Sequence, residues 1–206
     1  MLRTMLRQPA ELQRLFADRA PVESAAARIA GRRTLLVGTG TSWHAANQGA
    51  HFLRLAGADA WALQAADAAL YGPHPGASDA LVLLSHRGTK RYTSQVLARA
   101  REAGVPTVVI GGIGAPEADL ETVEQEISSA YTGSHLGALA RLVQLAQELG
   151  ADVGDVERVV LGPNPVELPT LVVGVVPVLI EQPLAPRAAP RADLLADPRD
   201  HDPSLR

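Results

Sequence analysis

The stretch TLLVGTGTS, residues 34–42, decides the fold class, because a short apolar run ends directly in a turn rich in glycines and hydroxyls. Residues 43–55 follow with helical spacing, so the order is strand, glycine-rich turn and helix. A second unit begins with ALVLL at residues 80–84 and passes through SHRGTK into a predicted helix over residues 91–103. The apolar run TVVI at residues 107–110 predicts the next strand.

The rest of residues 8–150 extends this alternation. Residues 8–30 have helical spacing that Pro21 divides into two helices, and residues 134–149 form an amphipathic helix. Residues 60–64 and 121–127 are predicted to be short strands. Strands that alternate with helices predict an α/β fold, a doubly wound parallel sheet flanked by helices. Ligands bind such sheets at the carboxyl ends of the strands, which here are the turns 38–42, 85–90 and 111–114.

The composition agrees with a buried parallel sheet and excludes several classes of protein. Hydrophobic residues make up 47% of the 206 residues but aromatic residues only 3%, so the core must consist of Ala, Val, Leu and Ile. The absence of cysteine excludes disulfides and thiolate chemistry. The net charge of −3 is spread without a basic stripe, so we expect no nucleic-acid partner. No apolar stretch approaches the ~20 residues that span a bilayer, so we expect no membrane contact and a cytoplasmic protein.

The two turns that open helices suit an anionic ligand rather than a nucleotide cofactor. Turns 38–42 and 85–90 place hydroxyls and unpaired N–H groups at helix amino termini, and the second adds two cations. The dinucleotide pattern GxGxxG would need a glycine at Trp43, and the P-loop pattern is absent, so no cofactor is predicted. His44 and His51 have no third ligand at a suitable spacing, so no metal is predicted.

Three motifs together carry a resemblance to a known family. They are GTGTSWHAA at residues 38–46, LSHRGT at residues 84–89 and EISSAYTGSHL at residues 126–136. In this order and spacing they resemble the signatures of the sugar isomerase (SIS) domain family. The resemblance is to the first SIS domain of the isomerase half of glucosamine-6-phosphate synthase, and it covers about residues 5–150. It implies a flavodoxin-like three-layer sandwich that binds a phosphosugar.

The resemblance also implies a set of site residues. The phosphosugar-binding residues would be Gly40, Thr41, Ser42, Ser85, His86, Arg87, Gly88, Thr89, Lys90, Ser128 and Thr132. Glu126 and His135 are the candidate acid–base residues, because an isomerase needs a base beside the reacting carbons. The sequence departs from the family pattern with a more basic turn, in which Arg87 replaces a serine and His86 a glutamine.

The resemblance implies a phosphosugar-binding protein related to isomerases and aminotransferases that act on fructose-6-phosphate or glucosamine-6-phosphate. Catalytic family members carry two SIS domains, whereas the second appears only as a trace here. Alternatives are therefore a non-catalytic regulatory sensor of amino-sugar phosphates and a truncated, inactive isomerase. A homodimer is expected to cover the apolar surface that the second domain would cover. Its interface is predicted to lie close to residues 38–42 and to use the apolar face of helix 134–149, formed by Leu136, Leu139, Ala140, Leu142, Val143 and Ala146. The sequence does not decide which sugar phosphate binds, or whether turnover occurs.

The expected organisation is N-terminal helices over residues 1–32, the SIS domain over 33–150, a helix and linker over 151–182, and a disordered tail over 183–206. The run TLVVG at residues 170–174 repeats TLLVG at residues 34–38. It is interpreted either as a vestigial second-domain strand or as an added strand, 171–180, of the first sheet. A third interpretation is that residues 175–206, rich in Ala, Pro and Arg, represent a shifted reading frame.

Overall fold

The computed structural model describes residues 2–126 and 131–154. The helices in these ranges are α1 (Leu2–Ala17), α2 (Ala20–Ile29), α3 (Thr41–Leu55), α4 (Ala65–Leu70), α5 (Arg91–Glu102) and α6 (Thr132–Glu148). The strands are β1 (Arg33–Gly38), β2 (Ala60–Gln64), β3 (Asp79–Leu84), β4 (Thr107–Gly111) and β5 (Leu120–Glu121). The two predicted amino-terminal helices are confirmed, and Pro21 lies in the first turn of α2.

The five strands form one parallel sheet in the order β2-β1-β3-β4-β5. This order confirms the predicted α/β class with a doubly wound sheet, because β2 and β3 lie on opposite sides of β1. It is the flavodoxin-like order, in which the chain reverses its direction of winding between β1 and β3. Ligand crevices of such sheets open at this point, so the turns after β1 and β3 lie where a ligand site is expected.

The core lies on both faces of the sheet, which explains the unbroken apolar runs of the strands. Leu36 and Val82 face one layer, formed by α1, α2, α3 and α6, while Leu35 and Leu81 face the other, formed by α4 and α5. Alanines on the helices permit close approach to the sheet with few aromatic side chains. The three-layer arrangement is therefore the one that the composition predicts.

Helix α6 packs inside the domain. Its residue Leu142 is fully buried, and a Cβ at Gly49 of α3 would lie 2.7 Å from the Leu142 side chain. The apolar face that we expected at a dimer interface packs against α1, α2 and α3. Of its members, Ala140, Leu142, Val143 and Ala146 are buried, and Leu136 and Leu139 are partly buried against the same core. That face is therefore covered within the chain.

One local prediction was wrong, and one helix was missed. The strand predicted over residues 121–127 is only the two-residue β5, because β4 ends at Gly111 and leaves no further ladder. The N–H and hydroxyl of Thr122 both donate to the Gly111 carbonyl, each at 2.8 Å, and turn the chain away. Helix α4 was not predicted; the Gln64 side chain caps it by accepting a hydrogen bond from the Ala66 N–H.

Several predictions fall outside the described residues: most of a helix over 152–160, the strand over 171–180, Ser128, and the tail over 183–206. Within the part of the chain that the structure describes, no helix has the length and apolar character needed to cross a membrane. In that same part, no three His, Asp or Glu side chains lie where they could hold a metal ion together.

Candidate functional site

A cavity of about 300 Å³ opens where β1 and β3 end, at the reversal of winding in the sheet. It lies between the turns that begin α3 and α5, with the first turns of α6 on a third side. The residues that line it are Thr39, Gly40, Thr41, Ser42, Ala45, Leu84, Ser85, His86, Arg87, Lys90, Thr93, Ile110, Gly111, Thr122, Tyr131, Ser134, His135 and Ala138. Eight of the thirteen predicted site residues are among them.

The turn after β1 depends on a close backbone approach. A Cβ at Gly38 would lie 2.5 Å from the Ser42 carbonyl, so only glycine lets α3 begin directly above the strand. Gly40 is the N-cap of α3 and has a positive φ of 60°. No hydroxyl caps the helix, so Thr41 and Ser42 do not have the purely structural role that such residues often have. Within the described contacts, both hydroxyls are available to a ligand.

The turn after β3 combines a buried hydroxyl, that of Ser85, with two exposed cations, Arg87 and Lys90, which form the rim of the cavity. Ser85 is buried, and its Oγ lies 3.4 Å from the Thr93 hydroxyl, which donates to the Lys90 carbonyl at 2.8 Å. Lys90 is the N-cap of α5 and no side chain caps this helix. The first N–H groups of α5 therefore lack intrahelical acceptors and favour an anion at this end.

Arg87 extends over the third side of the cavity. Its guanidinium lies 6.0 Å from the centre of the Tyr131 ring and donates to the Glu126 carbonyl at 3.4 Å. Arg87 and Lys90 are both exposed. The positive charge of Arg87 is therefore oriented by its contacts with Glu126 and Tyr131 but remains open to a ligand.

His86 lines the cavity and connects two segments. Its Nε2 accepts a hydrogen bond from the Glu126 N–H at 3.3 Å, which requires a neutral ring with its proton on Nδ1. Burial lowers the pKa of His86, opposed by the nearby Glu126 carboxylate and assisted by Arg87. Its Nδ1 is buried without a hydrogen-bond partner among the described residues. This nitrogen faces the backbone of Gly112, where a Cβ would approach it to 2.8 Å.

Glu126 is buried but does not line the cavity. Its carboxylate accepts hydrogen bonds from the N–H groups of Gly133, at 3.2 Å, and Ser134, at 2.7 Å. Both oxygens thus satisfy the amino terminus of α6, where a negative charge is favourable. Glu126 has the position of a helix-capping residue rather than that of a base facing a ligand.

His135, the second candidate acid–base residue, lies on the first turns of α6 and lines the cavity. Its Nδ1 is 3.2 Å from the Thr41 carbonyl, so Nδ1 carries the proton and donates it, while Nε2 keeps its lone pair. Burial lowers the pKa of His135, assisted by His44 and opposed by the hydrogen bond to Thr41. Burial therefore favours the neutral ring, in which Nδ1 carries the proton and Nε2 is the basic nitrogen beside the α3 turn.

Three further predicted residues, Gly88, Thr89 and Thr132, lie outside the cavity lining. Gly88 has a positive φ of 70° and packs against Pro116, which a Cβ would approach to 2.8 Å. Thr89 is exposed, and the Thr132 hydroxyl is buried at the start of α6 with no partner among the described residues. Gly88 is thus required by the shape of the turn, while Thr89 and Thr132 are neighbours of the site.

Sequence reasoning missed several lining residues, chiefly Thr93, Thr122, Tyr131 and Ser134. Thr93 could have been found, since a helix that begins at Arg91 brings its third residue back over the strand end. Tyr131 lies in a predicted motif but has left-handed backbone angles (φ 43°, ψ 41°) that no pattern in the sequence indicates. Its position beside Arg87 therefore depends on tertiary contacts and not on the local sequence.

Comparisons with known proteins establish the fold. No family model matches the chain, and no curated protein matches it in sequence. Solved structures do match. An inferred sugar-phosphate isomerase from Listeria monocytogenes is 18% identical with a TM-score of 0.62, over 79% of this chain and 94% of its own.

Two further structures show the same fold. The C-terminal domain of glucosamine-fructose-6-phosphate aminotransferase from Francisella tularensis is 13% identical with a TM-score of 0.61, over 73% of this chain and 48% of its own. The Vibrio vulnificus NanR protein, complexed with ManNAc-6P, is 17% identical with a TM-score of 0.61, over 81% of this chain and 68% of its own. The chain therefore has the fold of sugar isomerase domains. The finer resemblance to the first domain of glucosamine-6-phosphate synthase stays a prediction.

Proposed function

We propose that this domain binds a sugar phosphate in the cavity at the ends of β1 and β3, with its phosphate at the Ser85–Lys90 turn. The observation that carries the proposal is the uncapped amino terminus of α5, where Ser85, Thr93 and Lys90 meet at one end of the cavity. Unpaired N–H groups, hydroxyls and a cation are the donors that phosphate oxygens accept from. A phosphate ester satisfies all three.

The sugar would extend toward the α3 turn. Thr41 and Ser42 offer hydroxyls there, and His135 offers a nitrogen that can accept a hydrogen bond. The cavity volume of about 300 Å³ is at the lower end of the range for small-molecule sites and suits a phosphorylated hexose better than a dinucleotide. Fructose-6-phosphate and glucosamine-6-phosphate are the ligands that the sequence resemblance puts forward. The NanR structure, complexed with ManNAc-6P, supports a sugar phosphate in this fold.

A thermal-shift screen followed by calorimetry tests this function. Sugar phosphates at about a hundred times their Kd should stabilise the protein by about 2.7 kcal/mol, while NAD, ATP and the unphosphorylated sugars should not. The unphosphorylated sugars are the control for the phosphate. Stabilisation by nucleotides without any by sugar phosphates would contradict the proposal.

A second candidate function is aldose–ketose isomerisation with His135 as the base. The hydrogen bond from His135 Nδ1 to the Thr41 carbonyl favours it, because it leaves Nε2 basic on the side of α6 that lines the cavity. An isomerase would exchange the proton next to the sugar carbonyl with solvent deuterium, which NMR detects. His135→Gln should abolish the exchange and leave phosphate binding. Tight binding without exchange in the wild-type protein would favour the regulatory sensor instead.

A further inference from the structure

The rim of the cavity carries more positive charge than one phosphate group requires. Arg87 and Lys90 are two full charges, and the uncapped amino termini of α3 and α5 each add about half a charge. A phosphate ester carries about −1.5 to −2 at neutral pH. Among the described residues that line the cavity there is no carboxylate to balance the difference. About one positive charge is therefore left over when a single phosphate binds.

Among the described residues, the nearby carboxylate of Glu126 does not offset this excess. Glu126 is buried and gives both oxygens to the first N–H groups of α6. The charge of Glu126 is thereby balanced by the amino terminus of α6. Arg87 contacts the backbone carbonyl of Glu126 but not its carboxylate. The guanidinium of Arg87 has no ion-pair partner within the described ranges.

The two cations also have different surroundings. Lys90 is the N-cap of α5 and lies at the phosphate end of the proposed site. Arg87 is directed toward Tyr131 and the Glu126 carbonyl, on the α6 side. A single phosphate held at the α5 terminus would use Lys90, whereas Arg87 is placed to meet a second group of the ligand.

We propose that the ligand is a phosphorylated sugar acid, whose phosphate lies at Lys90 and whose carboxylate pairs with Arg87. This inference rests on the proposed function and narrows its ligand class. A planar guanidinium pairs with a carboxylate through two parallel hydrogen bonds, which an ammonium group cannot do. A carboxylate also fits the limited volume of about 300 Å³ better than a second phosphate does.

A matched pair of probes tests the proposal by calorimetry at fixed salt. 6-Phosphogluconate and glucitol-6-phosphate differ only at C1, where one has a carboxylate and the other a hydroxymethyl group. Wild-type protein should bind 6-phosphogluconate at least about tenfold more tightly, as expected for one charge-assisted contact. Gluconate, which lacks the phosphate, should bind far more weakly than either.

Two variants and one control test which cation pairs with the carboxylate of the ligand and which with its phosphate. Arg87→Gln should remove the preference for 6-phosphogluconate over glucitol-6-phosphate, while Lys90→Gln should weaken the binding of both phosphorylated probes and keep the preference. Arg91→Gln removes a neighbouring cation that stacks on Tyr92 outside the cavity, and it should preserve the preference. Equal affinity for the two probes, or a preference that survives Arg87→Gln, would overturn the inference and leave the proposed function intact. Failure of every phosphorylated probe to bind would instead contradict the proposed function.

Discussion

The carboxylate of Glu126 accepts a hydrogen bond from the Ser134 N–H at 2.7 Å, and this contact fixes the start of α6 against the chain that leaves the sheet. The next residue of the helix, His135, faces the cavity. His86 accepts a hydrogen bond from the N–H of the same glutamate, so Glu126 also connects α6 to the turn after β3. One buried acidic residue thus positions two sides of the site.

We predict that Glu126→Ala lowers the free energy of unfolding by about 1–2 kcal/mol, because two N–H groups at the start of α6 lose their acceptor. Urea denaturation measures the change. Glu124→Ala is the control: it removes an exposed pair with Arg7 and should change stability by less than about 0.5 kcal/mol. Equal effects of the two substitutions would contradict the capping role.

We predict that replacing both Arg87 and Lys90 by alanine weakens the binding of 6-phosphogluconate by about 2–4 kcal/mol, since its carboxylate and its phosphate each lose about one charge-assisted contact, less some screening. Both residues are exposed and lie before α5, so the fold should persist. Calorimetry measures the affinity, and the Tm of the variant without ligand checks the fold. Unchanged affinity would show that these side chains only solvate the surface.

The sequence predicted the positions of the two turns because their cause is local. Strands β1 and β3 are apolar on both faces, and each ends at a turn before a helix, which is sufficient to indicate a doubly wound sheet. The reversal of winding then brings both turns to one edge of the sheet. The fold class and eight of the eighteen cavity-lining residues, those in the turns 38–42 and 85–90, follow from these local patterns.

The role of Glu126 could not be predicted in the same way. A glutamate in a family-like motif looks the same in sequence whether it faces a ligand or caps a helix. Its position depends on Thr122, which bonds to Gly111 and ends β5 after two residues. Tertiary contacts, and not the local sequence, determine where the chain goes after Thr122. They also determine the left-handed backbone conformation of Tyr131, whose ring centre lies 6.0 Å from the Arg87 guanidinium.

We predict that the protein is less stable at about pH 5 than at about pH 7. Burial lowers the pKa of His86 and of His135, so below their ordinary value of about 6.5 the unfolded chain binds more protons than the folded one. The free energy of unfolding therefore falls as the pH decreases from about 6.5 through the pKa values of the folded protein. Above about 6.5 these two histidines contribute no slope.

Denaturation across this pH range measures the effect. His135→Gln should flatten the slope, because it removes one group whose pKa differs between the folded and unfolded states. His51→Gln is the control, since His51 lies exposed on α3 and is not part of the cavity lining. An unchanged slope in the His135 variant would contradict the assignment of this group.

The last prediction is that the chain forms a homodimer whose partner closes the open side of the cavity near residues 38–42. The earlier argument placed the apolar face of α6 in the interface, but Leu142 and its neighbours pack against α1, α2 and α3 instead. Leu142→Ala should therefore cost about 2–5 kcal/mol of stability through a core cavity, without changing the oligomeric state.

Light scattering decides whether the dimer forms, since it should give twice the chain mass of 21.7 kDa. If a second copy completes the site, sugar-phosphate affinity should also fall when the protein is diluted below the dimer dissociation constant, because dissociation removes one wall of the cavity. A mass of 21.7 kDa at high protein concentration would reject the dimer. A dimer whose ligand affinity is independent of dilution would place the interface away from the cavity.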